Sequence, residues 1–385
     1  MTHTAYLRGV GMTPYGRLDG QDTLDLMGQA ATLALADAGL ARGEVDGLLV
    51  AYSTTLPHLM LGTLFAEHFG LQPTWSHGVQ VGGATGLTLV ALASHLVRSG
   101  AVRRVLCVAG ENRLTGQSRD DSIKTLAQVG HADYEVPLGA SIPAYYALLA
   151  ARYLHETGTT PADLAELAVL MRAHAATHPG AQLRQPIAVA DVLASKLVSA
   201  PLRLLDCCPI SDGAAAVIVD AEPGARADGA VIRIAGTGSA HTHQHVSAAP
   251  DDAALGARQA AAAAFAQAGR GVGDMRYVGM YDSFTVTLAM LLEATGFCAP
   301  GQAGATARDG LFGPAGRLPL NTHGGLLSYG HCGAAGALAH VAEAVAQMRG
   351  GCGARQVAHE APLAFLHSDG GVLSSHTSMV LERDA

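Results

Sequence analysis

Lysine is nearly missing from this chain: Lys124 and Lys196 are the only two in 385 residues, and no Lys/Arg run stands out. Acidic residues outnumber basic ones, 32 to 24, for a formal charge of −8. A nucleic-acid binder needs a basic stripe to meet phosphates, so that class is excluded. Only 15% of residues are charged while 49% are hydrophobic, which excludes a disordered chain and leaves ample material for a core. No run of 18 apolar residues occurs, so neither a transmembrane helix nor a membrane partner is expected. The opening MTHTAYLRGVGM lacks the basic-then-apolar pattern of a secretory signal. The six cysteines, Cys107, Cys207, Cys208, Cys298, Cys332 and Cys352, contain no C-x-x-C pair, which argues against a zinc site and a disulfide framework. A reducing, cytoplasmic setting follows as the expectation.

What is present is an α/β pattern. The length suggests two or three packing units, at roughly 150 residues each. Residues 5–10 read as a short strand, 23–38 as a helix stopped by Gly39, and 45–52 (VDGLLVAY) as a buried strand. Residues 82–97 read as a helix and 102–109 (VRRVLCVA) as another buried strand. The order returns later, with strands at 230–235, 277–281 and 362–366 and helices at 254–268 (ended by Gly269) and 333–348. ALADAG (34–39) matches AFAQAG (264–269), GATG (83–86) matches GAAG (333–336), and VLCVAGE (105–111) corresponds to LAFLHSD (363–369). Their shared order and similar offsets point to an internal duplication. The expected halves are residues 1–222, including an insertion at about 112–203, and residues 229–385. The insertion is expected to cap a substrate cleft, and the halves to join near AEPGARADG (221–229).

Chemistry-bearing residues cluster in few segments. NTHGGLLSYGHCGAAG (321–336) places His331 just before a helix, whose free N–H groups and partial positive charge can hold a developing oxyanion. His331 is therefore a candidate oxyanion donor, the alternative being a turn histidine bonded to backbone. HSDGGVLSSH (367–376) follows an apolar strand, and α/β folds place ligands at such strand ends. His367 is a candidate general base or a strand-end histidine bonded to backbone; His376 reads as structural. Ser368, Gly370 and Gly371 are candidate substrate contacts. YDSF (281–284) offers Tyr281 and Asp282 at another strand end. VGGATG (81–86) is a glycine loop opening a helix, without the spacing of a nucleotide cradle. The alternating His241, His243 and His245 could share a strand face and bind a metal, but no carboxylate or Cys partner is evident nearby, and they read as a loop cluster.

Taken together, LLDCCPISDGAAAVIV (204–219), YDSF, NTHGGLLSYGHCGAAGALAH (321–340), HSDGGVLSSH and DYEVPLGASIPAYYALLAARYLHETG (133–158) resemble the thiolase superfamily, and most of all its sterol-carrier-protein-x type. The resemblance covers essentially the whole chain. It implies a thiolase fold: two duplicated α/β halves in a five-layered αβαβα core with an insertion domain. It also implies an acyl-CoA substrate with no cofactor beyond the CoA thioester, and a homodimer or homotetramer. By the same resemblance His331 matches the G-H-P histidine, His367 the C-terminal histidine, and Tyr281 the place of an asparagine or histidine. The position of the usual acyl-accepting Cys is Gly83, and Cys332 replaces the proline of G-H-P.

Without that Cys an ordinary acyl-enzyme cannot form. Thiolase-like aldolases, which split 3-hydroxyacyl-CoA esters, offer one resolution: Tyr281 or Tyr329 handles the β-hydroxyl while His331 and helix N–H groups hold the thioester oxygen. A second is acyl transfer through Cys332, whose place beside His331 at a helix start is expected to lower its thiol pKa. A third is a non-catalytic acyl-CoA-binding subunit. The resemblance further implies a possible small OB-fold partner protein.

Overall fold

A computed structural model describes residues 3–224 and 230–384. The first half runs β1 (Tyr6–Met12), α1 (Thr23–Ala38), β2 (Gly47–Ala51), α2 (Leu61–Phe69), β3 (Trp75–Val79), α3 (Thr85–Ser99) and β4 (Arg104–Asn112). The insertion carries α4 (Arg119–Ala127), α5 (Ile142–Thr157), α6 (Pro161–Ala176), α7 (Val189–Ala194) and the short pair β5 (Leu197–Ser199) and β6 (Leu202–Arg203), before β7 (Asp212–Asp220). The second half runs β8 (Val231–His241), α8 (Leu255–Ala268), β9 (Tyr277–Met280), α9 (Thr285–Ala294), α10 (Ala303–Arg308), α11 (Gly325–Ser328), α12 (Ala335–Met348), β10 (Leu363–Gly370) and β11 (Ser375–Asp384). Part of the expected join, 225–229, including the expected start of the second half at 229, lies outside the described residues.

Local chemistry explains the helix limits. The Asp22 side chain accepts the Asp25 N–H, and the Asp25 carboxylate accepts the Asp22 N–H, closing a capping box at the start of α1. Gly39 and Gly269 end α1 and α8 in the left-handed region, at φ 64° and 62°, where the sequence pattern predicts both stops.

The strand order β3-β2-β4-β7-β1-β8-β11-β10-β9 reads nearly the same from either end. The first half has two parallel pairs (β3–β2, β2–β4) and the second half one (β9–β10), and antiparallel pairs follow in both (β4–β7–β1, β10–β11–β8). The halves meet where β1 touches β8 through Tyr6 and Arg233. In the second half a single bridge, Val278 to Leu320, stands where β3 lies in the first. The duplication is thus written in the topology as well as in the repeats. Close packing repeats too: a side chain on Gly9 or Gly11 of β1 would run into the α1 backbone, and one on Gly236 or Gly238 of β8 into the α8 backbone.

Five layers result. α1 covers one face of the first-half strands, α8 covers one face of the second-half strands, and α3 and α12 lie between. Strand side chains alternate accordingly. Val105, Cys107 and Ala109 of β4 join the central core while Leu106 and Val108 join the α1 side. Leu366 of β10 faces the central core and Phe365 faces the α8 side. The insertion packs on the second half, with α5 and α6 against α9. Among the described residues no helix is long and apolar enough to cross a membrane.

Candidate active site

Four chain segments converge beside the carboxyl ends of the strands. Tyr281 follows β9, Asp369 to Gly371 end β10 and turn out of it, Gly82 to Ala84 open α3, and Gly330 to Ala334 open α12. The Tyr281 N–H donates to the His367 carbonyl at 3.0 Å, which ties the chain after β9 to β10. The Tyr281 hydroxyl lies 2.9 Å from His331 Nε2, with the rings at 81°. A side chain added at Gly83 would overlap both that hydroxyl and the Asp369 carbonyl. Gly82, at φ 62°, and Gly370 likewise leave no room for one, so the α3 loop lies directly on the β10 turn.

Hydrogen bonds assign the imidazole tautomer. The Gly333 N–H donates to His331 Nδ1 at 3.3 Å, so the neutral ring carries its proton on Nε2 and directs it at the Tyr281 oxygen. The His331 N–H donates to Ser211 Oγ at 2.9 Å, which anchors the loop. Burial, and then the nearby Arg113 guanidinium, push His331 down to about 3. Burial raises Tyr281 well above a free phenol, with Cys208, Asp369 and Tyr52 adding to it. Both groups are neutral near pH 7. Tyr52 also lines a cleft at the first-half strand ends, together with Ser53, His58, Leu59 and Gln80.

Several expected site residues are placed elsewhere. The Cys332 thiol is fully buried, within hydrogen-bonding range of Tyr15, and burial raises its pKa, with Glu111 adding to the rise. Its expected lowering at a helix start does not occur, because the side chain turns into the central core. The Tyr329 hydroxyl donates to the Thr13 carbonyl at 3.0 Å, and its ring packs on Tyr15 with centroids 4.7 Å apart. No contact joins it to Tyr281 among the described residues. Asp282 is buried and accepts the Leu326 and Leu327 N–H groups at 2.7 and 3.2 Å, bracing the start of α11 instead of facing a ligand. Ser368 is buried in β10 opposite Thr377.

His367 is not at a strand end, because β10 runs on to Gly370. Its ring is sealed on the Phe365 face, where burial lowers its pKa. The Leu373 carbonyl lies 3.0 Å from His376 Nε2, His376 Nδ1 lies 3.2 Å from His367 Nε2, and His367 Nδ1 lies 2.7 Å from Ser378 Oγ. A carbonyl only accepts, so each proton is assigned in turn: His376 donates to Leu373, His367 to His376, and Ser378 to His367. His367 therefore has no free nitrogen for a substrate. His241, His243 and His245 take separate partners: Ser375, Thr242 with Val372, and the ring of His131.

Two residues escaped the sequence reading. Tyr146 of α5 reaches in from the insertion, its hydroxyl 2.8 Å from Asp369 Oδ2 and its ring stacked on Phe284. No motif marks Tyr146. Asp369 carried one unused signal: it aligns with Glu111 in the repeated strand segments.

A family model described as Thiolase C-terminal domain-like matches residues 238–383. The chain is 32% identical to an acetyl-CoA acetyltransferase of Methanothermobacter thermautotrophicus, over 94% of this chain and 95% of that one. The chain belongs to the thiolase superfamily. Within the superfamily it is also 32% identical to a steroid side-chain-cleaving aldolase of Thermomonospora curvata, over 90% of each. The solved Ltp2-ChsH2(DUF35) aldolase superposes with a TM-score of 0.83 at 29% identity, covering 99% of this chain and 98% of that one. The protein is accordingly a thiolase-like acyl-CoA enzyme, an aldolase or an acyltransferase. Equal identity to both kinds leaves the choice to the site.

Proposed function

We propose that this thiolase-superfamily enzyme cleaves a 3-hydroxyacyl-CoA by retro-aldol chemistry, with Tyr281 and His331 at the reaction centre. One observation carries this reading: the Tyr281 hydroxyl, 2.9 Å from His331 Nε2, fills the space that any side chain at position 83 would need. A covalent acyl carrier at the start of α3 is incompatible with that phenol. A retro-aldol reaction needs none. The β-hydroxyl loses its proton, the Cα–Cβ bond breaks, its electron pair passes into a thioester enolate, a ketone or aldehyde departs, and Cα then gains a proton. Tyr281 retains its own proton at neutral pH, so it accepts from the β-hydroxyl only while passing its own proton on to water. The N–H groups at the helix starts hold the thioester oxygen as charge develops there, while the His331 Nε2–H steadies the Tyr281 oxygen.

The acyl-transfer alternative keeps support from the acetyltransferase relative. Its nucleophile would have to be a group other than the sealed Cys332. A non-catalytic subunit would bind acyl-CoA without turnover. The expected small partner draws support from the solved relative, an aldolase paired with a DUF35 protein. A homodimer draws support from β3, the edge strand, and from Leu59 and Met60 exposed nearby.

The test is turnover of a 3-hydroxyacyl-CoA branched at C3, read as release of ketone and of the shortened acyl-CoA. Tyr281→Phe is expected to lower kcat about a hundredfold or more. Wild-type turnover by that variant would overturn the reading. A stoichiometric acyl adduct after incubation with acetyl-CoA, found by intact mass, would favour acyl transfer.

A further inference from the structure

The duplication contains its own control. Glu111 in β4 and Asp369 in β10 hold corresponding places in the repeated strands, and each lies by the glycine that opens the other half's central helix. Glu111 is fully partnered. Its Oε1 accepts the Thr54 N–H at 2.6 Å, its Oε2 accepts the Thr54 hydroxyl at 3.0 Å, and Arg113 Nε lies 3.4 Å from it. Asp369, 1% exposed, has no ion pair among the described residues, and no hydrogen bond reaches its Oδ1. Its Oδ2 meets Tyr146 Oη, which also lies 3.0 Å from the Gly371 carbonyl. The one phenol proton cannot fully serve two acceptors. A protonated carboxyl resolves this: Asp369 donates to Tyr146, and Tyr146 donates to Gly371. Burial without a cation favours that neutral form, raising the carboxyl well above its ordinary value.

We propose that Asp369 and Tyr146 form a carboxyl–phenol pair that delivers a proton to the α-carbon freed when the Cα–Cβ bond breaks. The proposal rests on the retro-aldol reading. Tyr146 gives its proton to Cα, where the enolate electron pair becomes the new C–H bond. Asp369 refills Tyr146 from Oδ2 and regains its own proton from water, while the β-hydroxyl proton leaves through Tyr281 to water. The carboxyl ends as it began, one proton has passed from the substrate oxygen to water and one from water to the product carbon, and nothing is oxidised or reduced. Tyr146 is then a catalytic residue supplied by the insertion, and Asp369 a positioning residue acting through it.

Deuterium exchange isolates this step. The full chain is incubated with propionyl-CoA in D2O without a ketone, and α-deuterium is counted by mass spectrometry. Turnover and KM of the 3-hydroxyacyl-CoA are measured in parallel. Wild type is expected to exchange. Asp369→Asn, which preserves shape and a donor to Tyr146, and Tyr146→Phe, which preserves the stack on Phe284, are each expected to slow exchange and kcat about a hundredfold or more, with KM within about twofold. Tyr281→Phe is expected to keep exchanging, since no β-hydroxyl is involved. Wild-type exchange by folded Tyr146→Phe, or no exchange by wild type, would overturn the pair. Exchange that depends on the pair, without any cleavage of 3-hydroxyacyl-CoA, would remove the retro-aldol reading and leave the pair standing.

Discussion

At the start of α3, Gly83 makes room for the Tyr281 hydroxyl and the Asp369 carbonyl; at the start of α12, Gly333, at φ 63°, makes room for the Glu111 carboxylate. Position for position these are the same joint built twice. Around Gly333 the acid is matched by a threonine and an arginine, and Cys332 and Tyr15 are packed away from solvent. Beside Gly83 lies a neutral phenol that reaches across to the neutral imidazole of the Gly333 loop, and a buried carboxyl with one oxygen unpaired. Folding alone rewards satisfied polar groups, so a buried carboxyl with an open oxygen close to the Tyr281 phenol is where chemistry is expected. Duplication lets one joint hold the fold while the other departs from the rule.

Substitutions that treat the joints alike test this comparison. Gly83→Ala should have the largest effect: its Cβ overlaps the Tyr281 hydroxyl and a backbone carbonyl, costing about 3 kcal/mol and most turnover. Gly333→Ala combines left-handed backbone strain with overlap of its Cβ on the Glu111 carboxyl, costing about 3 kcal/mol, but it keeps the N–H that His331 Nδ1 accepts and should lose less turnover. Thermal melts paired with rate measurements would check both, and equal turnover losses would break the comparison. Glu111→Gln should cost about 2 kcal/mol in urea unfolding, because Arg113 loses its buried partner, whereas Asp369→Asn should cost under about 1 kcal/mol while impairing turnover more. Cys332→Ala should leave turnover unchanged and lower stability by about 1 kcal/mol, the cost of a small core void.

Much of the fold was legible. Gly39 and Gly269 marked helix ends, continuous apolar runs marked strands buried on both faces, and the spaced repeats announced the duplication. The site was legible residue by residue but not as contacts. Tyr281 and His331 each stood out, yet their meeting depends on β9 and the α12 loop arriving at one point, which periodicity does not encode. His367 was misplaced because Asp-Gly-Gly reads as a turn. In the fold β11 continues to pair β10 through Gly370, which carries His367 into the sheet. For Cys332, the argument from a helix start concerned the backbone, while the side chain's direction sends it to the core. Tyr146 had no local signal, because its role depends on an insertion folding over the other half.

The smallest predicted change is none at all. His331 at about 3 binds a proton only in strong acid, and Tyr281 releases its own only far above neutrality. Both working forms therefore persist between about pH 5 and about pH 9, and kcat should be flat across that range. The acid limb should appear only as His331 Nδ1 gains a proton and can no longer accept the Gly333 N–H. Glu111→Gln should retain the flat profile near wild-type height, and Asp369→Asn should retain it at a lower level, since neither acid titrates as a base in the proposed scheme. An acid limb near pH 6.5 in the wild type would mean that an ordinary, solvated imidazole controls the reaction. The tautomer set by Gly333, and with it the contrast between the two joints, would then be wrong.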